Sequence, residues 1–206
     1  MLKKFVRTMA YIGGIVTGFY LFASAPGIHK KKKWQHLTGW DYAHRGLYDN
    51  EHGIPENSMA AFRRAVDKGY GIELDVHLTA DNQLVVFHDD TLTRMCGMNK
   101  KISSFLYSDL MQLRLIGTEE GIPLFKDVLE LIDGKVPLII ELKVDGSNQN
   151  LLCPLVWQLL SRYKGDYCIE SFHPFVLQWF KRHEPQVVRG QLSCNFFKEN
   201  PHCDIV

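Results

Sequence analysis

The chain has almost no net charge. Its 24 lysines and arginines stand against 23 aspartates and glutamates, a formal charge of +1. No global basic field therefore draws the folded body to nucleic acid. Cysteine is scarce as well: there are five, an odd number, without framework or zinc-type spacing. That argues for reduced thiols over a disulfide scaffold, and for a cytoplasmic setting of the folded part. No glycine-rich turn of the dinucleotide-binding kind follows the first strand, there is no internal repeat, and Lys30–Lys33 is the only low-complexity tract. What remains is an ordinary apolar fraction, 46%, in a chain long enough for one domain with a sizeable core plus one appendage.

Charge of either sign is missing from one further place. From Phe5 to Ile28 there is no acidic residue, and after Arg7 no basic one. The apolar run Met9–Ala23 approaches a minimal membrane span, for which roughly 17–25 residues are needed. Lys3, Lys4 and Arg7 flank one end and Lys30–Lys33 the other, with Tyr and Trp near both interfaces. A cleaved signal peptide is the rival, since Ala23-Ser24-Ala25 resembles a cleavage site, but Pro26 follows directly. The expectation is a single-pass membrane anchor over residues 1–29, a basic linker over 30–39 and a folded domain over 40–206. Positive charge is nearly balanced across the span, so it does not set the orientation; the reduced cysteines favour a cytoplasmic folded domain.

Strand and helix then alternate. Asp41–His44, Ile72–Leu78, Leu84–Phe87, Val136–Leu142, Tyr167–Ser171 and Val187–Leu192 read as strands. Between them, Asn57 or Ser58 caps a helix with Met59, Phe62 and Val66 on one face, and Gly69 and Gly71 stop it. Thr79–Asn82 reads as a turn, and Thr91–Ile122 as an excursion with a short helix near Asp109–Leu115. Pro123 opens a helix with Leu124, Val128 and Leu131 inward; Leu151–Tyr163 and Pro174–His183 are the last two helices. This alternation predicts an α/β fold with a parallel sheet of six strands.

Four of the apolar runs end in charge: Ala43-His44-Arg45, Glu73-Leu-Asp75, Phe87-His88-Asp89 and Glu141-Leu-Lys143. A parallel sheet buries both faces of its strands, so these ends are expected to converge on one rim and face a site. Glu73 and Asp75, two apart on a strand, share a face and repel unless a cation lies between them. With Glu141 they form an oxygen set suited to Mg²⁺ or Ca²⁺; the alternative is that they form solvated ion pairs with Arg45 and Lys143. His44 and His88 titrate near neutrality and can act as base and acid, or else serve as core or metal-ligand histidines. Arg45 offers a rigid fork of donors to a phosphate, and Lys143 can neutralise the same anion.

The segments His44-Arg45-Gly46, Pro55-Glu56-Asn57, Glu73-Leu-Asp75-Val, His88-Asp89 and Glu141-Leu-Lys143 together resemble the motif set of the glycerophosphodiester phosphodiesterase family, in order and rough spacing. The resemblance implies a TIM (β/α)8-type barrel with its site at the C-terminal face of the strands. It implies Glu73, Asp75 and Glu141 as ligands of Mg²⁺ or Ca²⁺, His44 and His88 as the acid/base pair, and Arg45 and Lys143 as phosphate contacts. Glu56 and Asn57 would hold the first loop, and the excursion after His88 would frame the glycerol-binding side. The reaction so implied is hydrolysis of a glycerophosphodiester to an alcohol and sn-glycerol 3-phosphate.

Two departures stand out. Leu92-Thr-Arg94-Met-Cys96-Gly97 carries Met95 and Cys96 where smaller or polar residues are expected. The sequence also stops at Val206, whereas such a barrel takes about 250 residues, so about six of eight strands are expected, on a destabilised scaffold. The alternatives are a lysophospholipid or sphingomyelin-type phosphodiesterase, and a membrane-tethered fragment or binding module with impaired catalysis.

Overall fold

The structure, a computed structural model, describes residues 34–193 throughout and, before them, only Lys4, Arg7, Thr8, Tyr11, Gly13, Gly14, Ile15 and Gly18, all helical. The chain divides into two units, 1–33 and 34–206. Most of the expected anchor over 1–29, part of the 30–39 linker and the final loop beyond Ser193 lie outside the described residues. Among the described residues, no helix is long and apolar enough to cross a membrane.

The second unit is built on a sheet. Strands β1 (Tyr42–His44), β2 (Gly71–Leu78), β4 (Leu138–Leu142), β5 (Tyr167–Ser171) and β6 (Val188–Gln191) run parallel in the order β1-β2-β4-β5-β6. The expected third parallel strand is a correction. β3 (Leu84–Val86) pairs antiparallel with β2, off the main path, through Val76↔Val86 and Leu78↔Leu84. β2 is eight residues long against three in β1. It overshoots its neighbour, turns through Thr79–Asn82 with Asn82 at φ 62°, and sends β3 back along itself. A short apolar run between polar turns carries no mark of its direction, so sequence pattern alone could not separate the two cases. Eightfold closure is not observed among the described residues: β1 and β6 each pair with one neighbour.

The remaining elements follow local chemistry. Helix α1 (Met59–Lys68) starts because Ser58, not Asn57, caps it by accepting the Ala61 amide at 3.1 Å. It stops at Gly69, at φ 73°, whose amide bonds the carbonyls of Ala65 and Val66. α1 buries Ala61, Phe62 and Ala65. The 91–122 stretch holds two four-residue helices, α2 (Thr93–Cys96) and α3 (Tyr107–Leu110), so the helix expected near Asp109–Leu115 lies earlier and is shorter. Then follow α4 (Phe125–Ile132), α5 (Gln149–Leu160) and α6 (Pro174–His183). Helix α4 opens after Leu124 instead of at Pro123.

The apolar residues of the second unit form two clusters. The larger joins Ile72, Leu74 and Val76 of β2 and Leu138 and Ile140 of β4 to Phe62, Phe125, Val128, Val156 and Phe180 of the helices. The smaller belongs to the excursion: Val85, Phe87, Leu92, Met95, Ile102, Leu110, Leu115 and Ile122. Leu124, expected to point into the main core, packs against this second cluster.

Candidate active site

All eight positions of β2 are buried, and alternation divides them. Ile72, Leu74, Val76 and Leu78 face one way; Glu73, Asp75 and His77 face the other. Register carries the second face across the sheet. His44 is level with Glu73, Asp75 with Glu141, and Glu141 with Glu170. Three acids thus stand in one row on β2, β4 and β5, with Glu73 one pleat below.

Glu73, Asp75 and Glu141 each offer an oxygen within 4.8 Å of the others. Burial and the charges of Asp75 and Glu141 push the Glu73 pKa well above the carboxylate range. Burial also raises Glu141, to about 7. Asp75 is held low instead: burial opposes ionisation, but the Lys143 ammonium and the Asn57 amide outweigh it. Lys143 Nζ lies 3.0 Å from Asp75 Oδ1 and 2.7 Å from Glu141 Oε1. The expected phosphate contact thus rests on the carboxylates, as in the ion-pair alternative, though buried where that alternative is solvated. The trio fits a hard divalent cation. It is all oxygen, two members resist ionisation together, and Asn57 Oδ1 beside it is buried with no hydrogen-bond partner.

The β1–α1 loop brings Arg45, Glu56 and Asn57 to the same place. Arg45 and Asn57 are non-glycine residues at φ 57° and 54°. That conformation is costly for both and persists only because contacts hold it. The Arg45 amide donates to Glu73 Oε2 at 2.9 Å, and the Asn57 amide donates to the Arg45 carbonyl at 2.9 Å. Asn57 Nδ2 donates to Asp75 Oδ2 at 2.9 Å. Arg45 Nη1 donates to Glu56 Oε1 at 2.9 Å, and its Nε lies 3.8 Å from Asp75 Oδ2. Desolvation raises Glu56, but hydrogen bonds from Arg94 and the charge of Arg45 hold its pKa below the ordinary value.

The two histidines approach from different directions. His44 ends β1, with Nε2 3.8 Å from Glu73 Oε2. Desolvation at the rim and the adjacent Arg45 cation lower its pKa, so at neutral pH it can accept a proton. His88 follows the antiparallel β3: the Phe87 amide donates to the Asp75 carbonyl at 3.0 Å, which delivers His88 beside the acids. His88 Nδ1 bonds Asp89 Oδ1 at 2.7 Å.

Sequence reasoning overlooked three residues. Glu170 is 6% exposed, and its carboxyl group has no hydrogen-bond or ion-pair partner among the described residues; burial and the charges of Glu141 and Asp75 raise its pKa to about 7. An apolar run ending in an acid, Cys168-Ile-Glu170, was the available signal. His77 is buried two residues beyond Asp75, with Nε2 3.3 Å from the His88 carbonyl. Arg94 joins Glu56 to Asp89.

Known proteins resemble this chain in sequence and in fold. The model of the Glycerophosphoryl diester phosphodiesterase family matches residues 44–195. A lysophospholipase D of Rattus norvegicus is 34% identical over 173 residues, 77% of this chain and 52% of the relative. A glycerophosphodiester phosphodiesterase of Caldanaerobacter subterraneus is 34% identical over 166 residues, covering 73% and 65%. Among solved structures, an Oleispira antarctica phosphodiesterase in complex with the product sn-glycerol-3-phosphate superposes with TM-score 0.70 at 26% identity, covering 77% of this chain and 67% of that one. A Parabacteroides distasonis glycerophosphodiester phosphodiesterase gives 0.65 at 32%, covering 74% and 64%. The chain spans about half the length of the lysophospholipase D it matches. From the family match, which covers residues 44–195 and so most of the chain, the chain belongs to the glycerophosphoryl diester phosphodiesterase family.

Proposed function

We propose that this protein hydrolyses glycerophosphodiesters to an alcohol and sn-glycerol 3-phosphate, with Mg²⁺ or Ca²⁺ held by Glu73, Asp75 and Glu141. The observation that carries the reading is the buried trio of carboxylates with oxygens within 4.8 Å of one another, beside His44 and an Asp89-linked His88. When bound, the cation supplies Lewis-acid neutralisation of charge on the phosphoryl group. Arg45 and Lys143 bind and orient the phosphate oxygens. One histidine removes the proton of the attacking hydroxyl, either of water or of the neighbouring glycerol position. The other protonates the leaving alkoxide, so one P–O bond forms as another breaks. Attack by glycerol gives a cyclic phosphate; the histidines exchange roles as water opens it.

A lysophospholipid substrate is the second reading, supported by the kinship to a lysophospholipase D and by Phe172 and Phe175, exposed just beyond the C-terminal end of β5. The sheet is read as part of a TIM-type barrel, supported by five parallel strands, with His44 the last residue of β1 and Glu141 and Glu170 the last but one of β4 and β5. Attachment to a membrane through residues 1–29, with the catalytic domain cytoplasmic, is supported by the sequence alone.

The test is release of glycerol 3-phosphate from glycerophosphodiesters by the full chain in detergent, with Mg²⁺ or Ca²⁺ and with chelator. Release that the chelator stops is the expected result. Absence of release under either metal, with the fold intact, would leave the chain as a binding module.

A further inference from the structure

Arg94, on the short helix α2, makes two forks at once. Its Nε and Nη2 donate to Asp89 Oδ2 and Oδ1 at 2.8 and 3.0 Å. Its Nη1 and Nη2 donate to Glu56 Oε2 and Oε1 at 2.8 and 2.7 Å. Each acid also holds a residue of the proposed reaction. Asp89 Oδ1 takes His88 Nδ1 at 2.7 Å, and Glu56 Oε1 takes Arg45 Nη1 at 2.9 Å. Contacts therefore run unbroken through His88, Asp89, Arg94, Glu56 and Arg45, joining the loop after β3 to the loop after β1. The next residue, Met95, is buried in the second cluster and anchors α2 there, and its Sδ accepts from Arg94 Nη1 at 3.2 Å.

The chemistry of the chain is directional. An ionised Asp89 can only accept, so Nδ1 of His88 donates to it, and in the neutral ring the lone pair is then left at Nε2. That arrangement lasts only while the carboxylate neither rotates nor takes up a proton. A planar, permanently charged fork prevents both, whereas an ammonium would supply charge without fixing the plane. We propose that Arg94 is a positioning residue: it holds Asp89 so that His88 presents Nε2 to the substrate, and it holds Glu56 so that Arg45 keeps its fork toward the phosphate. The role rests on the phosphodiesterase reading above.

The experiment compares Arg94→Met and Arg94→Lys with the wild type, measuring kcat and KM on a glycerophosphodiester and recording ¹⁵N shifts of the histidine rings. Arg94→Met should lose about 30- to 100-fold in kcat, with a smaller rise in KM as Arg45 loosens its hold on the phosphate, as when other outer partners of an active site are removed. Added guanidinium should restore part of that loss. Arg94→Lys should keep the fold yet still lose roughly tenfold in kcat. The ring shifts should show His88 moving from a single Nδ1-protonated form to a mixture. Where Arg94→Met does not fold, Arg94→Lys decides. An active wild type whose kcat survives in the folded variants, or a loss confined to KM or to thermal stability, overturns the positioning role alone. An inactive wild type whose His88 tautomer still changes in Arg94→Met overturns the substrate reading alone.

Discussion

Glu170 shows how a single buried acid sets a dependence on pH. It stands level with Glu141 and is shielded from water, and its pKa of about 7 lies above the ordinary glutamate value of 4.5. A carboxyl whose pKa is raised by folding binds its proton more tightly in the native state. Its stabilising effect is complete below the unfolded value and is lost as pH rises through about 7. The metal-free protein should therefore lose stability between about pH 4.5 and 7, and Glu170→Gln should remove part of that slope. One pKa unit corresponds to about 1.4 kcal/mol, so the substitution should be nearly neutral at about pH 4 and stabilising by about 3 kcal/mol at about pH 8. Denaturant melts with chelator present measure this. A gain equal at both pH values would mean that Glu170 acts through packing and not through charge. Asp75, one strand away from Glu141, runs the opposite course. Lys143 and Asn57 keep it ionised, so its contribution is present above the unfolded pKa and disappears as pH falls through the lowered native one.

At the scale of elements, the β1–α1 loop depends on one close approach. Gly46 sits at φ 80°, and a Cβ there would lie 2.9 Å from the Ala61 side chain and 3.0 Å from its backbone carbon. The Leu47 amide bonds the Ala61 carbonyl at 3.1 Å, so the loop that carries Arg45 is docked directly on α1. Gly46→Ala should cost about 2–3 kcal/mol, combining strain at positive φ with overpacking against backbone. It should also lower turnover by moving Arg45. A urea-unfolding loss below about 0.5 kcal/mol would show that the loop is not held there. Much of this region was legible in the sequence because its signals are local: a polar cap at Asn57 or Ser58, which the structure gives to Ser58, with Phe62 pointing inward and Gly69 stopping the helix. Glu73 and Asp75 had to share a face. The 91–122 excursion was not legible, since helices of four residues show no full period and their apolar residues serve a cluster of their own. The direction of β3 was hidden for a related reason. Only its pairing with the overshooting end of β2 reveals it, and that pairing lies between segments rather than within one.

For the molecule as a whole, the acids form one electrostatic unit whose balance changes with a bound cation. Without one, Lys143 and Arg45 are the positive groups set against Glu73, Asp75, Glu141 and Glu170, and three of the four acids are driven toward protonation. A divalent ion that binds only the folded chain removes that repulsion and stabilises by mass action, about 2.7 kcal/mol at a hundredfold excess over Kd. In a chain of this size each kcal/mol raises Tm by about 2–4 °C, so Mg²⁺ or Ca²⁺ should lift it by roughly 5–11 °C at pH 8. Glu73→Gln isolates the cause. It keeps an acceptor for the Arg45 amide and removes a charge that the fold already resists, so the metal-free variant should melt no lower than the wild type. The same variant should lose most of the metal-induced shift, to under about 2 °C, because an amide oxygen is a poorer ligand for a hard cation than a carboxylate. Metal-free protein that melts normally while losing its response to metal would place the ion on this trio. An undiminished shift in Glu73→Gln would mean that the cation stabilises the molecule from somewhere else.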